Sequence, residues 1–353
     1  MIIFGVSKTG GHIYPAIALA QETSLQTFFV GPNSSLVKDV IQRYGFSFYP
    51  YSTVSKNPLK VVLSIMSCCF LLKKYSITKV VGTGGFSTVP LLIAAWICRK
   101  PIYLLEQNVL PGRVTLWFSK IARAVYVSFD ESLSYFSSAS SRSRCKVLGN
   151  PIRKTFDLDE AGRFLSRLSL SSETCLLVVG GSQGAEKIND WISGLYTRFH
   201  RDGISVIHIT GPAYYDQKGY DGAYHCLSSE GEGAQTVIIP YLEQMDAAYQ
   251  LSTIVISRAG ATTISELIAF QKPSLLIPYP YAKDDHQRLN AECLERYGVA
   301  REILQSRLIT LDYPALIALM RDPKLRETAQ EKSALYHRFL TARETIVTAL
   351  LQS

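Results

Sequence analysis

Three glycine-rich turns carry the chemistry legible in this chain, each following a short apolar run. Lys8-Thr9-Gly10-Gly11-His12 follows Ile2-Ile3-Phe4, and Gly82-Thr83-Gly84-Gly85 follows Lys79-Val80-Val81. Gly180-Gly181-Ser182-Gln183-Gly184 follows Leu176-Leu177-Val178-Val179. Each turn leads into helix-like sequence. A strand–turn–helix unit of this kind aims bare backbone N–H groups and the positive end of a helix at one point, which suits a phosphate. Three such units, divided between the two halves of the chain, imply a diphosphate-bearing substrate held in a cleft.

The side chains around these turns narrow the chemistry. His12 stands where a helix begins, and the positive helix end disfavours its imidazolium, so a neutral ring there can take a proton. A lone histidine is more often structural. Glu106-Gln107-Asn108 follows a strand at its carboxyl end, where a polar trio is placed to face a cleft. Ser257-Arg258-Ala259-Gly260-Ala261-Thr262-Thr263-Ile264-Ser265-Glu266 passes from strand to helix. Its first-turn N–H and O–H groups can hold a phosphate and Glu266 both hydroxyls of a ribose; an N-capped helix accounts for the same residues without a ligand. Gly180–Gly184 also fits G-x-S-x-G, the nucleophile elbow of serine hydrolases, with His286 or His337 as nominal partner to Ser182. That reading leaves the other two turns unexplained. No turn fits G-x-G-x-x-G with an acidic residue about 20 positions on, as a nicotinamide-dependent oxidoreductase wants. No H-E-x-x-H and no paired metal ligands occur, so neither a bound metal nor a cofactor is expected.

The elements that position these residues alternate along the chain. Strands are expected near 1–6, 26–31, 78–82, 101–105, 124–128 and 145–148, with helices near 13–24, 34–44, 58–75, 88–98, 112–122 and 131–138. The strands are continuous apolar runs such as Ile102-Tyr103-Leu104-Leu105, as expected of a parallel sheet covered on both faces. Gly149-Asn150-Pro151 breaks the pattern. It restarts with strands near 174–180, 204–210, 236–240, 253–257 and 274–277, and helices near 159–168, 185–200, 243–250, 262–270 and 284–297. Residues 211–235 read as a surface excursion, and the glycine-free stretch from 312 onward as helical. Repeated βα order on both sides of a proline break gives an α/β protein of two doubly wound domains, whose ligands bind beyond the carboxyl ends of the strands.

With 353 residues, 47% hydrophobic and 19% charged, the chain suits two globular domains. Its net charge of +8 favours an anionic partner. The basic residues are scattered and no nucleic-acid signature accompanies them, so no nucleic-acid partner is expected. Seven cysteines without C-x-x-C spacing indicate buried thiols in a reducing compartment. The amino terminus opens on a strand, so a signal peptide is not expected. The run Leu59 to Leu72 is shorter than the ~20 residues a spanning helix needs, and Lys56, Lys60, Lys73 and Lys74 flank it. It fits a core helix or one resting on anionic headgroups.

TGGHIYPAIALA (9–20), GTGGFSTVP (82–90), EQN (106–108), GNPIR (149–153), GGSQGA (180–185), SRAGATTISE (257–266) and KDDHQRLNA (283–291) stand in one order. Together they resemble the MurG-type N-acetylglucosaminyltransferases over nearly the whole chain. The resemblance implies a GT-B fold of two Rossmann-like domains with a cleft between them. The domains would be 1–152, facing acceptor and membrane, and 153–334, holding the UDP-sugar, with a helix at 335–353 crossing back to the first. It implies inverting transfer of N-acetylglucosamine from UDP-N-acetylglucosamine to the 4-hydroxyl of undecaprenyl-diphosphate-linked muramoyl-pentapeptide, at the cytoplasmic face of the bacterial plasma membrane. The nearest alternative is another GT-B transferase acting on a lipid, of the diacylglycerol type.

By the same resemblance, Ser182 and Arg153 would meet the nucleotide diphosphate, Leu242 the uracil, and Ala261, Thr262, Thr263, Ile264, Ser265 and Glu266 the α-phosphate and ribose. Gln287 would bind the sugar, while Thr9, Gly10, Gly11 and Asn108 would complete the donor site. Gly84 and Gly85, with the 9–12 turn, would receive the acceptor diphosphate. His12 is the expected general base and Glu106 the second choice. Ile65, Phe70, Lys73, Lys74 and Trp117 would belong to a patch resting on the anionic membrane. Two positions depart from the family pattern: Ser7-Lys8 replaces a Gly-Gly pair, and Phe86 replaces a frequent tyrosine.

Overall fold

The computed structural model describes residues 1–51, 58–153, 163–165, 174–181, 184–228, 233–243, 245–331 and 333–352. The chain divides into two compact units, Met1–Lys154 with His337–Ser353, and Thr155–Tyr336. Each is built on a seven-stranded sheet.

In the first unit the strands are β1 (Ile2–Gly5), β2 (Thr27–Pro32), β3 (Ser47–Tyr51), β4 (Lys79–Gly82), β5 (Ile102–Glu106), β6 (Ala124–Val127) and β7 (Cys145–Val147), in the order β3-β2-β1-β4-β5-β6-β7. All neighbours are parallel. Strands β1 and β6 are buried along their whole length, because helices cover both faces. The strand order reverses between β1 and β4, the switch point at which loops diverge and leave a crevice. There Gly5 pairs with Gly82, so the turns after the two strands begin side by side.

The second unit repeats the device with β8 (Thr174–Val179), β9 (Ile204–Ile209), β10 (His225–Ser228), β11 (Gln235–Ile239), β12 (Ile254–Ser257), β13 (Ser274–Leu276) and β14 (Ala300–Glu302). The order is β10-β11-β9-β8-β12-β13-β14, parallel except at β10–β11. Val179 of β8 pairs with Ser257 of β12, again bringing two turns together at the switch point. The stretch read as a surface excursion contains a helix, Pro212–Gln217, and the edge strand β10. The helix expected over 185–200 is two, Glu186–Ser193 and Tyr196–Arg201. The one expected over 131–138 is a tighter 3₁₀ turn, Asp130–Tyr135, followed by a short helix, Ala139–Ser143.

The final helix, Ala342–Gln352, belongs to the core of the first unit: Ile346, Val347 and Leu350 pack with Ile13, Ile17 and Ala20 of the first helix. Arg343 fastens it, its Nε 2.8 Å from a Glu22 carboxylate oxygen and an Nη donating to the Ile152 carbonyl at 3.2 Å.

The lysine-flanked helix spans Pro58–Lys74 and packs in the same unit. Its 3.6-residue period turns Ser64, Cys68 and Leu72 inward and leaves Leu59, Leu63, Met66 and Phe70 between 55% and 64% exposed. Ile65, expected in the outward patch, is half-buried against the core, since it follows the inward-facing Ser64 around the helix. Among the described residues no helix is long and apolar enough to cross a membrane.

Candidate active site

In the first unit the switch point gathers the two glycine turns and the end of β5. The first helix starts at Gly10, capped by Thr9 in extended conformation, and the His12 amide folds back on the Thr9 carbonyl at 3.0 Å. Thr83 is fully buried and tied to Gly5, whose carbonyl accepts both its amide and its hydroxyl. Gly84 and Gly85 follow at φ of +89° and +78°, a left-handed pair that side chains rarely adopt. A Cβ on Gly84 would stand 3.3 Å from His12 Cε1, so the imidazole lies flush against this turn.

A bond to the second turn orients the histidine. Its Nδ1 is 2.5 Å from the Thr83 carbonyl oxygen. A carbonyl only accepts, so Nδ1 carries the proton, and in the neutral ring the lone pair is on Nε2. The Thr83 oxygen also accepts from Gln107 Nε2 at 3.2 Å. Gln107 is 1% exposed, and it anchors the carbonyl on which His12 rests.

Glu106 ends β5 and is buried. One carboxylate oxygen accepts the Asn108 amide at 3.2 Å and the other the Gly112 amide at 2.9 Å. Burial raises its pKa, while the Thr115 hydroxyl and the Gly112 and Asn108 groups pull it back. Both oxygens thus hold the loop between β5 and the Arg113–Phe118 helix. Asn108 is half-buried there, its carbonyl accepting from Ser132. Phe86 and Trp117 form an exposed edge-to-face pair, centroids 5.8 Å apart, beside the second turn. Arg153 also belongs to this unit, its guanidinium 3.9 Å above the Tyr14 ring and donating to Tyr44 at 3.2 Å.

In the second unit Ser182 lies outside the described residues. Gly184 closes the turn, its amide donating to Gly181 at 2.9 Å. Across the switch point the Ala261–Ala269 helix begins after Gly260. Thr262 and Thr263 are half-exposed at its start; Ile264 and Ser265 are fully buried, the latter donating back to Ala261 at 2.6 Å. The Ile264 amide donates to the Gly260 carbonyl at 3.0 Å, so the amides placed to meet a ligand are those of the first helical turn, at 261–263. Glu266 accepts the Tyr249 hydroxyl at 2.9 Å. Leu242 is 2% exposed, and Gln287 Oε1 accepts the Tyr279 amide at 3.0 Å.

Residues without a sequence-assigned role hold this second turn. Arg258 donates to the carbonyls of Ile277 and Pro278, both at 3.1 Å, and to Gln305 at 2.6 Å. Burial lowers its pKa to about 10. Asn290 donates to Ala259 at 3.0 Å. Both lie in the runs 257–266 and 283–291, and burial, which the sequence does not display, is what marks them as supports.

Two largely parallel sheets, each with paired turns at its switch point, define an α/β protein of two Rossmann-like domains, the GT-B fold class. Residues 2–127 match the glycosyltransferase family 28 N-terminal domain and residues 175–346 its C-terminal domain. The chain is 35% identical over 350 residues to a protein of Caldanaerobacter subterraneus subsp. tengcongensis, covering 94% of each chain. It is 32% identical over 329 residues to one of Halothermothrix orenii, covering 87% of this chain and 86% of that one. Both are named UDP-N-acetylglucosamine--N-acetylmuramyl-(pentapeptide) pyrophosphoryl-undecaprenol N-acetylglucosamine transferase. The crystal structure of Acinetobacter baumannii MurG superposes with a TM-score of 0.73 over 100% of this chain and 99% of that one, at 22% identity. The chain belongs to the MurG family of N-acetylglucosamine transferases.

Proposed function

We propose that the protein transfers N-acetylglucosamine from UDP-N-acetylglucosamine to the 4-hydroxyl of muramoyl-pentapeptide carried on undecaprenyl diphosphate, completing the lipid precursor of peptidoglycan. The observation that carries the chemistry is the Thr83 carbonyl bound to His12 Nδ1, which makes Nε2 the basic nitrogen at the edge of a glycine turn. In the reaction His12 Nε2 takes the proton of the acceptor 4-hydroxyl as that oxygen bonds to the anomeric carbon. The bond from that carbon to the diphosphate oxygen breaks, UDP departs with its electron pair, and the configuration inverts.

The Gly84–Gly85 backbone and the start of the Gly10–Glu22 helix receive the acceptor diphosphate. The turn closed by Gly184 and the helix starting at Ala261 hold the nucleotide, whose growing charge fixed N–H dipoles stabilise more in the transition state than before it. Glu106 spends both oxygens on loop amides, which favours an anchoring role and leaves His12 as the base. The outward face of Leu59, Leu63, Met66 and Phe70, ringed by Lys60, Lys73 and Lys74, rests on the anionic cytoplasmic membrane surface.

Calorimetry with UDP-N-acetylglucosamine, UDP-N-acetylgalactosamine and UDP-glucose, alongside transfer to a short-chain lipid-linked muramoyl-pentapeptide, tests the reading. Preferred binding of the first nucleotide with turnover of that acceptor is expected. Absence of uridine affinity, or transfer only to diacylglycerol, refutes it.

A further inference from the structure

Beneath the second unit's glycine turn runs a line of buried polar side chains that the reaction does not use. The Tyr196 hydroxyl lies 2.5 Å from His208 Nδ1, His208 Nε2 lies 3.0 Å from Asn189 Oδ1, and Asn189 Nδ2 donates to the Thr210 carbonyl at 2.8 Å. His208, Asn189 and Thr210 are fully buried and Tyr196 is 9% exposed.

Every bond in this line has one possible direction. The Asn189 nitrogen donates to Thr210, so Oδ1 is the atom facing His208, and an amide oxygen only accepts. His208 Nε2 therefore carries the proton. Burial lowers the His208 pKa to about 3, so the ring is neutral and Nδ1 accepts the Tyr196 hydroxyl proton. A flipped Asn189 amide would set its oxygen against the Thr210 carbonyl oxygen and break that bond, so the Thr210 contact fixes the direction of the line.

The line ends on the wall of the turn. Gly184 has φ of +76°, and a Cβ there would lie 2.2 Å from the Thr210 oxygen, so only glycine lets that carbonyl approach. Asn189 sits one turn into the Glu186–Ser193 helix, which starts directly after the glycine turn. Its bond to Thr210 pins the exit of that turn to the end of β9.

We infer that Tyr196, His208 and Asn189 form a positioning relay that fixes Gly184, where the donor glycine turn enters its helix, and so sets affinity for the uridine diphosphate group. The inference rests on reading the second unit as the nucleotide-binding one. These are positioning residues: none is offered as touching substrate.

The test compares the wild type with Asn189→Leu in the full chain. UDP affinity is measured by calorimetry, kcat and KM by transfer assay, and Gly184 amide exchange without ligand. The expected result is UDP binding weaker by about tenfold, the effect of losing the Thr210 pin, one of the two hydrogen bonds the variant removes, at about 1–2 kcal/mol. KM for UDP-N-acetylglucosamine should rise in parallel, with kcat within about threefold and Gly184 exchange faster by about tenfold. A folded variant with UDP affinity within about twofold of wild type and unaltered Gly184 exchange overturns the relay. If Asn189→Leu does not fold, Tyr196→Phe takes its place: about threefold changes in the same quantities support the relay, and none overturns it. If the wild type binds no UDP, the nucleotide reading falls, while Gly184 exchange still decides whether the relay sets the turn.

Discussion

Replacing His12 by alanine removes an imidazole but leaves the carbonyl it holds with a second donor. The Thr83 oxygen keeps Gln107 Nε2 at 3.2 Å, so no buried acceptor is orphaned. The half-buried ring gives up one hydrogen bond and some packing against Gly84, a stability cost of about 1 kcal/mol. For a unit of this size that lowers Tm by about 2–4 °C. Loss of a general base lowers turnover by about 10²–10⁴, a barrier increase of about 2.7–5.5 kcal/mol. The two effects therefore separate: His12→Ala should unfold almost like the wild type yet lose at least two orders of magnitude in kcat. The assay is steady-state transfer to a short-chain lipid-linked acceptor at saturating UDP-N-acetylglucosamine, with thermal unfolding of the same sample. UDP affinity should not move. Turnover within about tenfold of wild type in the folded variant, or a loss confined to acceptor KM, would show that the ring only shapes the turn.

Four further outcomes follow from the structure. Glu106 has a raised folded-state pKa because of burial, so its protonated form favours the fold. That contribution is fully present below the ordinary value of 4.5 and is lost as pH rises through the folded value. Urea unfolding across this window should show a decline in the wild type that Glu106→Gln lacks, and parallel stability–pH profiles would contradict the linkage. Replacing Leu63, Met66 and Phe70 with serine should weaken flotation on anionic vesicles by about tenfold or more while leaving Tm in place, because each side chain is exposed; unchanged flotation rules out this face. Ile65→Ser should instead lower Tm without a matching effect on flotation, the reverse ranking placing Ile65 on the membrane. Arg343→Ala takes one charged partner from Glu22 and a donor from the Ile152 carbonyl, both partly buried, and should cost about 2–3 kcal/mol in urea unfolding; a cost below about 0.5 kcal/mol would make that fastening superfluous.

Most of the sheet framework was legible because central parallel strands are buried on both faces and read as unbroken apolar runs. The three strands that escaped, β3, β10 and β14, are all sheet edges. An edge strand meets solvent and tolerates residues that interrupt the pattern: Pro50 in β3, His225 and Ser228 in β10, Arg301 and Glu302 in β14. The turns were legible for a different reason, since glycine at a strand end has few other uses. The supports of those turns were not. Gln107 looked like one of three cleft-facing polar residues, yet it is turned inward to Thr83, and Glu106 beside it holds amides. His208 and Asn189 lie 19 positions apart, and nothing in their spacing announces a bond between them. Pairings set by tertiary packing leave no period in the chain.

The helix Ala342–Gln352 fills the same core as Ile13 and Ile17. Those two residues leave the ribosome before the second unit is made, whereas Ile346 and Leu350 emerge only after it. The first unit therefore waits, while the second is made, without the helix that covers this side of Ile13 and Ile17. Its fold closes after synthesis of the second unit, against the usual N-to-C order of domain completion.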